Sequence, residues 1–159
     1  MSLLTSQRGP VIVTNAQSLA GFAPRSQWTA NHLKEAGWGD EVVKVSVSPS
    51  GRFDGAESGP LWGLSQDEEV LVRPPETHMR LHDLLTLLSQ PTSESFYLEY
   101  NALHQYLGET FASTMAPRPP ISSTLRPLLT NLWLGKGSTT SPLHYDEYEN
   151  LLAQINGVK

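Results

Sequence analysis

One stretch constrains this chain more than any other. Thr77 stands ahead of Met79, Leu81, Leu84, Leu85 and Leu88, apolar positions at helical spacing, and Pro91 closes the segment. Around that amphipathic helix the sequence is cut into short pieces by 12 glycines and 12 prolines among 159 residues. An apolar fraction of 38% leaves room for a core, though not a generous one. The length suits one domain or a large piece of one.

Short strands are the other ingredient. Val11 to Thr14 is a β-branched run after Gly9-Pro10 and predicts a strand. Thr29 can cap a short helix through Ala36, with Gly37 ending it. Val42 to Val47 alternates, with Val43, Val45 and Val47 on one face, until Pro49-Ser50-Gly51 turns the chain. Residues 51–76 look irregular. Phe96 to Tyr100 predicts an aromatic-rich strand, Ala102 to Thr110 a second short helix, and Met115 to Pro127, with four prolines, a loop. Leu128 to Leu134 is apolar and broken by Gly135 and Gly137. Asn150 to Ile155 is a further strand candidate, and Asn156-Gly157 after it is a two-residue hairpin signal. Only Val158 and Lys159 follow that turn, so the expectation is of a chain that stops before its last hairpin closes.

Several functions are disfavoured by composition. The formal net charge is −5 and no block of Lys or Arg appears, so nothing marks a nucleic-acid or anionic-membrane surface. There is no cysteine, which excludes disulfides and thiolate metal sites. The N-terminus shows no signal-peptide core and no apolar run spans a bilayer, so the expectation is an intracellular protein, cytoplasmic or nuclear.

The chemistry concentrates in Ser141-Pro142-Leu143-His144-Tyr145-Asp146. On an extended chain, side chains two apart share a face, which puts His144 and Asp146 roughly 6–7 Å apart at the backbone. An imidazole and a carboxylate so placed can share a metal ion. They supply two-thirds of the two-histidine, one-carboxylate set that leaves positions on Fe(II) open for oxygen and a co-substrate. Taken alone, His-x-Asp reads first as a surface histidine near an aspartate on a loop.

The surroundings add to it. Leu132-Trp133-Leu134-Gly135, the segment from Ser141 to Leu152, Gln154 and Gly157-Val158-Lys159 together resemble the JmjC, cupin-like Fe(II)/2-oxoglutarate oxygenases, most of all their small lysyl-hydroxylase group. There an apolar strand with an aromatic and a glycine leads to Ser/Thr-x-x-His-x-Asp, then an asparagine four residues on, then a Gly-x-Lys turn. The resemblance implies that His144 and Asp146 are iron ligands. It implies that Lys159, Ser141, Asn150 and Tyr97 hold the co-substrate 2-oxoglutarate: Lys159, Ser141 and Tyr97 at its distal carboxylate, Asn150 beside it. An ammonium flanked by hydroxyl donors is what a fixed dianion requires. The family's second histidine ligand lies further downstream than Lys159. His78 and His82, four apart on the amphipathic segment, read as a solvated helix edge, and neither they nor His32 and His104 stand where that ligand belongs.

The implied fold is α+β: N-terminal strands and helices, residues 1–127, leading into the start of a double-stranded β-helix barrel, residues 128–159, within one domain. The implied function is hydroxylation of a protein side chain, by analogy a lysine, in a full-length protein. The chain as given is expected to be inactive and a poor solo folder, since closing strands and the distal histidine are absent from it. The rival is a non-catalytic cupin-like binding or interaction fragment. A histone-tail peptidase, the third possibility, finds no Ser-His-Asp or His-Glu-x-x-His pattern here. The physiological substrate and the oligomeric state are not readable.

Overall fold

A computed structural model describes residues 9–14, 25–116, 128–137, 139–144 and 146–158. Lys159 lies outside the described residues, as does most of the proline-rich 115–127 stretch.

The strand over Val42–Ser48 (β1) is the spine. Its alternation is the one the sequence predicts: Val43 and Val45 are fully buried on one face, and Lys44, Ser46 and Ser48 point the other way. Ahead of it stands the helix Ala30–Glu35 (α1), capped by the Thr29 hydroxyl, which accepts from the His32 N–H at 3.2 Å. Gly37, at φ 88°, turns the chain into a 3₁₀ turn over Trp38–Asp40.

Residues after β1 are more regular than the sequence suggests. Gly55–Ser58 (β2) and Glu69–Val72 (β3) form an antiparallel hairpin, closed at its base by an ion pair from Arg73 Nε to Asp54 at 3.2 Å. Glu76–Arg80 (β4) then pairs antiparallel with β1, and only at Leu81 does the helix Leu81–Ser89 (α2) begin. The predicted helix start near Thr77 is therefore corrected. Thr77 and Met79 face inward at a period of two, opposite Val45 and Val43, and the edge of β1 recruits them before the helical spacing takes over. Within α2, Leu81, Leu84 and Leu85 are buried and Asp83 sits in the first turn, where the helix dipole favours a carboxylate.

Ser95–Ala102 (β5) pairs with the other edge of β1, and Asn131–Gly135 (β6) pairs with β5, giving an antiparallel sheet ordered β4-β1-β5-β6. Two short helices, Leu103–Tyr106 (α3) and Gly108–Met115 (α4), stand between β5 and β6 in the chain. The helices cover one face of the sheet. Leu81, Leu84, Leu98, Leu103, Phe111 and Met115 meet there with Val43 and Val45, and burying each such side chain stabilises the fold by roughly 1.5–3 kcal/mol. The Phe111 ring is packed edge-on by Trp28 at 5.9 Å and Trp38 at 4.9 Å.

Two short segments predicted as strands, Val11 to Thr14 and Asn150 to Ile155, are neither helix nor strand. A strand exists only against a partner, and the described residues place none beside them. Asn156-Gly157 still bends the chain, with Gly157 at φ 80°. No helix among the described residues is long and apolar enough to cross a membrane.

Candidate metal and co-substrate site

The face of the sheet away from the helices is polar and aromatic. Ser46 and Ser48 of β1 lie on it, with Tyr97 and Glu99 of β5 and Trp133 of β6. Tyr97 stands between Ser46 and Gly135 in the ladder. Its ring lies over Gly135 so closely that a Cβ there would come within 2.8 Å of Tyr97 Cδ2, which is why glycine ends β6. Phe53 packs against the same ring at 5.2 Å and Trp133 at 5.9 Å.

β5 carries an extra residue opposite β6 between Leu98 and Asn101, a β-bulge. Tyr100 occupies it at φ 51°, one of two non-glycine residues in the left-handed region among the described residues; the other is Asp54, at φ 52°. The bulge turns Tyr100 out to meet Trp133 edge-on at 4.8 Å. It also sends Asn101 inward. The fully buried Asn101 amide accepts from the Lys44 N–H at 3.1 Å and donates to the Lys44 carbonyl at 2.8 Å, continuing the β1–β5 ladder where the backbone has moved away.

His144 and Asp146 lie on the segment after β6. That segment is anchored before it reaches them: Thr140 donates to the Gly51 carbonyl at 2.8 Å and accepts from the Phe53 N–H at 2.8 Å, a short parallel bridge. From there His144 and Asp146 project to the same side, with His144 Nε2 3.8 Å from Asp146 Oδ1. His144 Nδ1 meets the Pro142 carbonyl at 2.8 Å, which as a donor leaves Nε2 the lone pair that faces Asp146. Asn150 donates its side-chain amide to Asp146 Oδ2. The two side chains are 56% and 51% exposed, so a cation reaches them without opening the fold.

The donor set fits a metal in part. With bonds of about 2.1 Å, two neighbouring ligand atoms at a right angle stand about 3 Å apart, so the pair has under about 1 Å to close. No group of three His, Cys, Asp or Glu able to hold a metal occurs among the described residues. His32 lies against Trp38, His78 pairs with Lys44 across β4 and β1, His82 sits on α2 and His104 on α3.

Of the other implied residues, Ser141, Asn150 and Tyr97 fall among the described residues and Lys159 does not. Ser141 is exposed and adjoins the Thr140 anchor. Asn150 is engaged with Asp146. Tyr97 packs against Trp133, which Tyr100 meets edge-on; burial first, then Glu99, Asp54 and Asp146, raise the Tyr100 phenol above its ordinary value. Burial, then the nearby Glu99 and Tyr100, push the Tyr97 phenol above its ordinary value, so it remains a hydrogen-bond donor at neutral pH. Sequence reasoning missed Phe53, Glu99 and Tyr100. Alternation through Phe96, Leu98 and Tyr100 gives no hint of a bulge, and burial of the other two comes from distant contacts.

Glu99 carries a test of its own. Burial raises its carboxyl above the usual value, opposed by the Ser46 hydroxyl hydrogen-bonded to it. A carboxyl raised on folding contributes stability that is full below its unfolded pKa, about 4.3, and lost as pH rises through the folded value. Glu99→Gln is therefore expected to melt above the parent protein at pH 7, with the gap closing below about pH 4. Melting temperatures of both proteins from pH 4 to pH 8 check this; a gap that does not change with pH contradicts it.

Comparison with known proteins agrees with the fold. The family of cupin-like domains matches residues 2–159. The chain is 25% identical over 170 residues to JmjC domain-containing protein E of Dictyostelium discoideum, covering 97% of this chain and 45% of that protein. It is 28% identical over 152 residues to Lysine-specific demethylase JMJ30 of Arabidopsis thaliana, covering 94% of this chain and 31% of the relative. A shorter match, 55% identical over 29 residues, joins it to JmjC domain-containing protein F of Dictyostelium discoideum, covering 18% of this chain and 6% of that protein. The chain spans less than half the length of these relatives. With an antiparallel sheet backed by helices and a family match over nearly every residue, the chain belongs to the JmjC, cupin-like domain family.

Proposed function

We propose that this chain supplies two of the iron ligands and much of the co-substrate site of an Fe(II)/2-oxoglutarate-dependent oxygenase that hydroxylates a protein side chain. The observation that supports it most is the His144–Asp146 pair. Each member has its second polar atom engaged, on Pro142 and on Asn150, so that Nε2 and Oδ1 converge. A surface histidine that merely happens to neighbour an aspartate has no need of such orientation.

In this reading His144 and Asp146 hold Fe(II), which when bound supplies the oxygen chemistry that converts 2-oxoglutarate to succinate. Tyr97 donates its phenol to the far carboxylate of the keto acid. Ser141 and Lys159 add a hydroxyl and a cation there, and Asn150 sets the angle of Asp146. Trp133 and Tyr100, packed edge-on, form an aromatic wall on one side. The substrate is a protein, and lysine is its target residue by analogy. One relative is named as a lysine-specific demethylase. Hydroxylation of an N-methyl carbon, which then leaves as formaldehyde, would make demethylation an outcome of the same chemistry.

The test is 2-oxoglutarate binding to the protein, measured anaerobically with Fe(II) and without it. Binding is expected to require the metal. Lys159→Ala is expected to weaken it about tenfold and Tyr97→Phe several-fold, each removing one charge-assisted bond. Binding equal with and without Fe(II) would sink the reading and leave a non-catalytic cupin-like module.

A further inference from the structure

We infer that Glu57 is a positioning residue of the proposed metal site, its buried carboxylate fixing the turn on which the His144–Asp146 loop hangs. The inference rests on the reading of that pair as ligands. Glu57 lies on β2, with its side chain only 4% exposed. Oε1 accepts from the Ser50 hydroxyl at 2.8 Å, and Arg52 Nε stands 3.5 Å from the same oxygen. With its proton committed to Glu57, Ser50 Oγ acts as acceptor for the Arg52 N–H at 3.3 Å and for Ser48 Oγ, also at 3.3 Å. Ser48 Oγ in turn accepts from the Gly51 N–H at 3.1 Å. A carboxylate only accepts, so it fixes the direction of the Ser50 and Ser48 hydroxyls and leaves their oxygens to accept from the backbone N–H groups.

The turn so fixed is the one that receives the loop. Gly51, at φ 79°, presents its carbonyl to Thr140, and Phe53 presents its N–H to the Thr140 carbonyl. Two residues on, Pro142 lies beside Gly55, its Cγ at ordinary contact distance, 3.8 Å, from where a Cβ on Gly55 would stand. The Pro142 carbonyl then takes His144 Nδ1. Phe53, on the same turn, buttresses the Tyr97 ring. One turn thus seats both the metal pair and the co-substrate tyrosine. Stability alone is a poor reason for the carboxylate: burying it costs desolvation that an apolar side chain of like size would avoid. Direction of hydrogen bonding is what an apolar replacement would forfeit.

The experiment compares Glu57→Met, Glu57→Gln and Ser50→Ala with the parent, using Co(II) as the metal probe and amide hydrogen exchange at Thr140 and Phe53. Glu57→Met and Ser50→Ala are expected to speed exchange at both amides and to weaken Co(II) binding about tenfold, as loss of an orienting partner does. Glu57→Gln keeps the acceptor for Ser50 and is expected to restore both to within about threefold. Leu33→Ala, a core change on α1, lowers the melting temperature but leaves Co(II) affinity in place, which separates positioning from general destabilisation. Asp146-dependent Co(II) binding that ignores Glu57→Met overturns this inference alone, as does a Glu57→Gln protein no better than Glu57→Met. Co(II) binding that ignores Asp146→Ala overturns the underlying metal reading instead.

Discussion

Fe(II) affinity is expected to fall at least about a hundredfold when Asp146 becomes alanine, because the change removes the only anionic ligand of the set. The structure gives two further reasons for a large effect. Asp146 Oδ1 is the atom that His144 Nε2 faces, so its loss leaves a lone imidazole on an exposed loop. Asp146 Oδ2 is also the acceptor for Asn150, so the variant also removes the acceptor that Asn150 holds in place. Asn150→Ala separates these effects. It keeps the charge and removes only the orientation, and is expected to weaken Fe(II) by about tenfold. Competition against a chromophoric chelator under anaerobic conditions measures both. Equal losses for Asp146→Ala and Asn150→Ala would mean that the carboxylate acts only through its partner.

Asn101→Ala is expected to destabilise the fold by about 3 kcal/mol. The side chain is fully buried in the bulge of β5 and makes three bonds, to the N–H and carbonyl of Lys44 and to the Glu99 carbonyl. Removing it strands those backbone groups on a strand buried between neighbours, which costs more than the bonds themselves. Asn101→Asp is the sharper variant. It has nearly the same shape and still accepts from Lys44, but it turns acceptors toward two carbonyls that need a donor. It is expected to be at least as destabilising as alanine. Chemical denaturation of the three proteins decides this, and an aspartate variant as stable as the parent would show that volume rather than hydrogen bonding matters there.

How much of this was legible in the sequence differs by element, for physical reasons. Val43 and Val45 announced β1, and Thr29 and Gly37 bracketed α1, because strand period and helix caps are local properties. β4 was hidden because two periods overlap at Met79 and Leu81: Thr77 and Met79 alternate, while Leu81, Leu84, Leu85 and Leu88 repeat as a helix. What resolves them is the open edge of β1, more than thirty residues earlier in the chain. The β2–β3 hairpin escaped notice because its strands are four residues each and the loop between them holds a 3₁₀ turn. The short apolar run Val70-Leu71-Val72 was its one signal.

The site divides the same way. The pairing of His144 with Asp146 was readable from spacing; Asn150 was singled out only through resemblance, as an asparagine beside the co-substrate rather than as a partner of Asp146. Tyr97 was readable only through resemblance. Tyr100, Asn101 and Glu57 were not readable at all. The first two owe their directions to a bulge, and the third owes its burial to a turn that folds back onto it.

The account stands most directly on where a metal ion settles. Substoichiometric Mn(II), added to isotope-labelled protein under NMR observation, broadens the signals nearest to it. The account predicts early loss of His144, Asp146 and Asn150, then of Trp133 and Tyr100, with Asp146→Ala abolishing the pattern. Broadening centred instead on Glu147 and Glu149, or on His78 and His82, with the His144 ring signals left sharp, would contradict it.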